Sequence, residues 1–356
     1  MDTKMFNLTD RQLNQLSEFR ECFVEYPQIT EIYTIFDRLM FNSTVGGEQE
    51  SLLFTGDTGA GKSALIHNYL QKFTIKKGRW AEMPVLNTRI PSKIKEQNTL
   101  ERFLLDLDDI KSNRTRRSHK EGSLTAGVIR TLTDKNVKLI IVNEIQELIE
   151  FKDAEERQTI ANTFKMISEE AKVSFVLVGM PYSSLLAEEP QWSSRLGWRR
   201  HLDYFHLFKM SENNETLLPD KLGKIHFAKF VSGLAARMGF DERPNLTSDE
   251  ILLPLFAVCR GECRALKHFL SDALLNALCE SAGTIDKGML EATFSSRYPN
   301  EDNPFKCPLE QLKIRELSIG TRYDKDAQFK EGKLIDRTFT DLLPINMLLS
   351  KQPLKS

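Results

Sequence analysis

Apolar positions along this chain recur with two different periods. Over residues 8–42 the spacing is helical. Leu13, Leu16, Phe19 and Phe23 share one face of a first helix that Thr9 or Asp10 can cap, and beyond Pro27 a second helix carries Ile29, Ile32, Ile35, Phe36 and Leu39. From residue 51 the apolar positions gather into short continuous runs at 51–55, 83–88, 138–142, 173–178 and 202–207. Such runs read as strands of a parallel sheet covered on both faces. Helical patterns at about 64–70, 98–108, 123–133 and 155–171 separate them. Strand and helix alternate, which predicts an α/β, doubly wound parallel sheet. Beyond residue 217 only helical patterns remain, at 220–238, 247–259, 262–281 and 286–296. Pro299, Pro304, Pro308, Pro344 and Pro353 then interrupt any regular pattern. The expected organisation is an N-terminal helical lead-in (1–45), an α/β core (46–210), a small helical lid (217–298) and a tail (299–356) that docks a partner.

Composition narrows the class without naming a function. A hydrophobic fraction of 40% over 356 residues supports a sizeable core. The formal net charge is −1, so any contact with nucleic acid must come from a local patch. The dense basic segment is Lys111–Lys120, with five Lys or Arg and no carboxylate. A block of this kind is either a solvated loop or a set of phosphate contacts. The five cysteines form no Cys-x-x-Cys pair, and Cys259 and Cys263 read as small apolar residues four apart on one helix. Neither a zinc site nor a disulfide framework is indicated. With no secretory leader pattern and no apolar run long enough to span a bilayer, a reduced cytoplasmic protein is the expectation.

The chemistry concentrates in Gly56-Asp57-Thr58-Gly59-Ala60-Gly61-Lys62-Ser63, which leads into Ala64 and a helical pattern. Strand, glycine loop and helix in this order form a phosphate cradle. Glycines let backbone N–H groups turn inward, and the helix N-terminus adds its unpaired donors. Lys62 can reach the β- and γ-phosphates of a nucleotide, and Ser63 can ligate Mg²⁺. No Asn/Thr-Lys-x-Asp tetrapeptide follows the loop, so ATP rather than GTP is the expected nucleotide. The run 139–142 ends in Asn143-Glu144. Glu144 is placed to act as base for an attacking water. Asn143 stands where a metal-shell carboxylate is usual, and its neutral amide predicts weaker Mg²⁺ binding and slow hydrolysis. Arg195 lies between two strand runs, where it can serve a neighbouring subunit's γ-phosphate; Arg199 and Arg200 compete for the role, and Arg264 can act from the lid.

Together these features resemble an AAA+ ATPase, and more closely the TnsC/TniB family of transposition regulators. Val137–Leu148 resembles that family's Val-x-Leu-Leu-Ile-Ile-Asp-Glu-x-Gln-His-Leu pattern, with Asn143 and Glu147 as departures. Val178-Gly179-Met180-Pro181 is similar to its Val-Gly-Thr-Pro, Ser194-Arg195-Leu196 to its Ser-Arg-Phe, and Arg260-Gly261-x-x-Arg264-x-Leu266 to its lid motif. The resemblance covers about 28–280. It implies an AAA+ P-loop fold, ATP and Mg²⁺ as ligands, and a ring or filament of copies on double-stranded DNA. It also implies a transposase and a TniQ-like target-selection adaptor as partners, the latter CRISPR-associated in some relatives. It places DNA contacts on loops after the second strand and before the acidic strand, here Arg89, Lys93, Lys95, Arg114, Arg116, Arg117 and Lys120. A replication initiator or helicase loader, and a non-hydrolysing ATP-dependent scaffold, are the competing readings.

Overall fold

A computed structural model describes residues 8–46, 48–73, 82–91, 96–107, 121–211, 213, 216–316 and 340–349. Five strands form one parallel sheet: β1 (Leu52–Gly56), β2 (Val85–Arg89), β3 (Leu139–Asn143), β4 (Ser174–Gly179) and β5 (Trp198–Leu202). Their order across the sheet is β2-β3-β4-β1-β5. Alternate residues of each strand enter opposite cores, as side-chain alternation requires. Leu52, Phe54, Leu139, Ile141, Val176 and Val178 face one layer, which includes α2 (Pro27–Val45) and α3 (Lys62–Leu70). Leu53, Ile140, Val142, Phe175 and Leu177 face the other, formed by α4 (Glu96–Asp106), α5 (Glu121–Asp134) and α7 (Ala154–Ala171). A short α6 (Glu147–Phe151) follows β3, and a one-turn α8 (Pro190–Ser193) precedes β5.

The chain leaves β1 for the far edge of the sheet and returns through β3 to β4 beside β1. This reversal opens a crevice at the carboxyl ends of β1, β3 and β4, the usual ligand position in open α/β sheets.

A small hairpin, β6 (Phe208–Met210) with β7 (Leu217–Pro219), leads to the helical lid. The lid comprises α9 (Lys221–Ala235), α10 (Asp249–Cys259), α11 (Cys263–Cys279) and α12 (Lys287–Arg297). Helix α1 (Asp10–Glu21) packs on the lid, with Gln12 Nε2 donating to the Leu278 carbonyl at 2.8 Å and Gln15 Nε2 to that of Met238 at 2.7 Å. Residues 22–26 therefore cross from lid to sheet. Beyond α12, Phe305 stacks on Phe269 at 5.8 Å, and Leu312, Ile314, Leu343 and Ile345 are buried in the same core as the lid; Ile345 opens the short α13 (Ile345–Leu349).

Several elements differ from the sequence expectation. The last strand of the sheet is Trp198–Leu202, not 202–207. As an edge strand it needs no continuous apolar run, while Tyr204, Phe205 and Leu207 are buried beside the lid. Cys259 and Cys263 sit on two helices, because Arg260 (φ 53°) and Gly261 (φ 88°) turn the chain between them. Leu13 is 50% exposed, so α1 buries only Leu16 and Phe19. Thr9 is its cap, completed by Gln12 as a capping box.

Candidate nucleotide-binding site

The glycine loop spans the turn from β1 to α3. Gly59 (φ 83°) and Gly61 (φ 109°) take conformations that side chains with a Cβ rarely adopt. Gly61 precedes α3 with no side-chain cap, so the first N–H groups of the helix stay open to an anion. A Cβ on Gly59 would overlap the Glu262 carboxylate, which packs beneath the loop. Lys62 Nζ donates to the carbonyls of Gly56 at 2.7 Å and Asp57 at 3.0 Å, and Asp57 Oδ1 accepts from Thr58 N at 2.6 Å. Burial lowers the Lys62 ammonium to about 8, against the opposing pull of Asp57 and Glu144 and with a small push from Arg264.

That shift has a measurable sign. In the free protein Lys62 is charged below about pH 8 and neutral above it. A polyphosphate laid beside it favours the charged form again. ATP binding at pH 8.5 is therefore expected to take up part of a proton, and at pH 6.5 this group should contribute none. Calorimetry in two buffers of different ionisation enthalpy reads the difference directly; equal heats in both buffers at pH 8.5 would remove the assignment.

The end of β3 presents Asn143 and Glu144 to the same cleft. The Asn143 amide donates to Asn87 Oδ1 at 2.7 Å and to the Thr88 carbonyl at 2.8 Å. Both N–H bonds thus fasten β3 to β2. An aspartate has no donor and would set its carboxylate against two oxygens, which is a physical reason for an amide here. Glu144 holds φ 58°, a left-handed value uncommon for this residue. Its Oε2 accepts from Gln146 Nε2, and Gln146 Oε1 accepts from Met180 N at the end of β4 at 3.3 Å. Burial, with Glu147 and Glu144 nearby, pushes Glu150 up to about 7.

The lid closes the other side of a cleft of about 470 Å³. Arg264 N, in the first turn of α11, donates to the Gly59 carbonyl at 3.2 Å, and the Tyr204 hydroxyl donates to that of Thr58. Phe205 N donates to the Gly261 carbonyl at 3.0 Å. Cys22, Phe23, Tyr26, Phe230 and Lys267 form a largely apolar wall at the cleft's far end. Tyr26 packs tilted against Phe205 at 5.0 Å and edge-on against Phe230 at 5.6 Å, and Lys267 Nζ donates to the Cys22 carbonyl.

The loop residues Gly56 to Ala64, Asn143, Glu144 and Arg264 are thus placed around one space, with Gly56 contributing through its carbonyl to Lys62. Arg195 is not among them. Its carbonyl accepts from Ser51 N, at the entry of β1, whereas the loop follows the exit of β1. Five residues of strand put roughly 16 Å between the two ends. Its guanidinium meets Glu169 at 3.5 Å. Arg200 pairs with Glu31 at 2.7 Å and stacks over Trp198, and Arg199 reaches the Ala187 carbonyl at 3.5 Å. Arg89 is exposed at the end of β2. Lys93, Lys95, Arg114, Arg116, Arg117 and Lys120 lie outside the described residues. Sequence reasoning missed Gln146, Tyr204, Glu262 and Lys267 as site residues. Only Gln146 carried a local signal, its position two residues after Glu144.

The donor set suits a nucleotide that brings its own metal. Among the described residues no group of three or more His, Cys, Asp or Glu could hold an ion unaided. Ser63 and the Asn143 carbonyl supply two neutral oxygens, and Mg²⁺ commonly binds through few protein ligands plus substrate phosphates. Among the described residues no helix is long and apolar enough to cross a membrane.

A sequence profile described as "Bacterial TniB protein" matches residues 16–205. No curated protein matches the chain. Among solved structures, the Aeropyrum pernix Orc1 protein in complex with DNA is similar at a TM-score of 0.52 and 13% identity, over 78% of this chain and 67% of that one. Cdc6p from Pyrobaculum aerophilum is similar at a TM-score of 0.56 and 13% identity, over 79% of this chain and 70% of that one. At this identity the likeness is one of fold alone: a parallel five-stranded sheet with a glycine loop after its first strand, flanked by helices.

Proposed function

The chain belongs to the TniB family of bacterial proteins, and on that premise we propose that it is an ATP-dependent, oligomeric regulator of DNA transposition. The observation that carries this reading is the division of the site. Lys62 and Glu144 share one cleft, while Arg195 stands at the opposite end of β1. An arginine so placed serves a neighbouring copy's nucleotide, so hydrolysis and assembly are one event.

The chemistry is attack of water on the γ-phosphorus. Glu144 takes the proton as the new P–O bond forms, and the bond to the bridging oxygen breaks to release ADP and phosphate. Lys62 and the open N–H groups of α3 hold the phosphates. Arg264 from the lid and Arg195 from the neighbour balance charge on the transferred group. Ser63 and Asn143 would hold Mg²⁺, which when bound supplies Lewis-acid stabilisation of the phosphate oxygens. Asn143 brings no negative charge, so turnover is slow, and the bound ATP acts as assembly glue with a long lifetime.

The proposed track for double-stranded DNA comprises Arg89, Lys93, Lys95, Arg114, Arg116, Arg117 and Lys120. The solved Orc1 similar in fold is in complex with DNA, which agrees with this reading. Such contacts go to phosphates and carry no sequence preference. The assembled protein would connect a TniQ-like target-selection adaptor to the transposase, and the 299–356 segment would supply a docking surface.

Electron microscopy with ATP and duplex DNA is the test. Rings or filaments on the duplex are expected with ATP, and monomers under the same conditions overturn the proposal. Binding should weaken with salt at a log–log slope near −0.9 per phosphate neutralised.

A further inference from the structure

Gln146 is a buried amide in the nucleotide cleft with both of its ends engaged. Its Nε2 donates to Glu144 Oε2, and its Oε1 accepts from Met180 N at 3.3 Å. It is 7% exposed. The amide thus spans the ends of β3 and β4. We infer that Gln146 is a positioning residue for hydrolysis, fixing the Glu144 carboxylate in the cleft by tying it to the backbone at the end of β4. This rests on the reading of Glu144 as the base.

Three observations converge on this role. The first is the exit of β4. Met180 offers no oxygen or N–H from its side chain, and its sulfur lies 3.8 Å from Thr58 Oγ1, against the glycine loop. The polar group that β4 presents at this point is therefore a backbone N–H, and Gln146 occupies it.

The second is the seat of the amide. A Cβ on Gly179 would come within 3.0 Å of Gln146 Oε1 and 2.6 Å of Ile145 Cγ2, and would also overlap Ser183 Oγ. The strand thus ends in the one residue that leaves room for the amide to reach the Met180 N–H.

The third is the state of Glu144. Its backbone sits at φ 58° and the residue is exposed, so nothing in its own packing selects a rotamer. A flexible carboxylate spends little time in the orientation that attack requires, and holding it there removes that cost before the reaction starts. Gln146 supplies a neutral donor for this purpose. A lysine or arginine would pair with the carboxylate and compete with the water for it. A carboxylate would repel it, in a region already crowded by Glu147 and Glu150.

The test compares wild type, Gln146→Leu, Glu144→Gln and the double variant, each for ATP affinity with a fluorescent analogue and for single-turnover phosphate release. Gln146→Leu is expected to lower the hydrolysis rate by about ten- to a hundredfold with ATP affinity within about threefold of wild type. In the Glu144→Gln background the same change should cost nothing further, since a positioning residue acts only through its partner. An unchanged rate in Gln146→Leu overturns the inference while leaving the ATPase reading intact. So does a full additional loss in the double variant, or a fall in affinity that matches the fall in rate. A wild type without turnover in the presence of ATP, Mg²⁺ and duplex DNA overturns the ATPase reading and this inference with it. If Gln146→Leu is insoluble, Gln146→Asn, which keeps the amide but is one methylene too short to span both partners, must show the same split.

Discussion

Glu144→Gln is expected to lower ATP turnover by about a hundredfold to ten-thousandfold while leaving ATP affinity within about threefold of wild type. The substitution keeps size and one oxygen but removes the carboxylate that, on the proposed mechanism, accepts the proton of the attacking water. In the same proposal the phosphates are held elsewhere, by Lys62, the loop N–H groups and the first turn of α3, so binding should persist. Glu144 also stands outside the buried cores, at an exposed strand end, so its replacement leaves folding largely untouched. Phosphate release under single-turnover conditions, beside equilibrium binding of a fluorescent ATP analogue, separates the two effects. A loss below about fivefold would assign the base elsewhere. Because hydrolysis would end the assembled state, the variant should also hold rings or filaments on DNA for longer than wild type.

Gly261→Ala should have the largest effect on the folded state, a loss of about 3 kcal/mol or more. Two penalties combine there. Gly261 holds φ 88°, where a side chain is strained, and a Cβ would overlap the Phe205 carbonyl oxygen, which is backbone and cannot swing aside. The same turn carries the Phe205 N to Gly261 O bond and leads straight to Arg264 N on the Gly59 carbonyl. Displacing it should therefore loosen the lid from the glycine loop and weaken ATP binding along with stability. Gly283→Ala is the control, since a Cβ there meets nothing within 4 Å, and its cost should stay within about 0.5 kcal/mol. Chemical denaturation of both variants, with ATP titrations on each, measures this. Equal stabilities would mean that the turn at 260–262 adapts freely.

The two experiments probe parts of the molecule that were unequally legible in the chain. The glycine loop could be read directly, because its requirements are local: glycines at positive φ, then a helix N-terminus, then Lys and Ser. The strands β1, β3 and β4 were equally legible, since a strand buried on both faces must be apolar throughout. The edge strand β5 was misplaced for the complementary reason. Trp198, Arg199, Arg200 and His201 form a strand with only β1 to pair with, and an edge tolerates polar residues that periodicity reads as loop. Leu13 looked like a core residue from its spacing, but the lid meets α1 along a stripe that leaves it outside.

The sequence by itself therefore determined the class of the protein, because a phosphate cradle and a parallel sheet are written in short-range patterns of residue type. What only the tertiary structure decided is which distant groups meet. Asn143 read as a missing charge; the fold shows its amide fastening β3 to β2 through Asn87 and Thr88. Gln146 read only as part of the run that follows Glu144; the parallel pairing of β3 with β4 brings Met180 N within its reach. Glu262, about 200 residues after Gly59, packs beneath the loop only because the lid folds back over it. Arg195 was a candidate with no geometry until the direction of β1 set it at the opposite end from Lys62. Each of these meetings depends on strand order and helix packing, which are long-range contacts that no local spacing encodes.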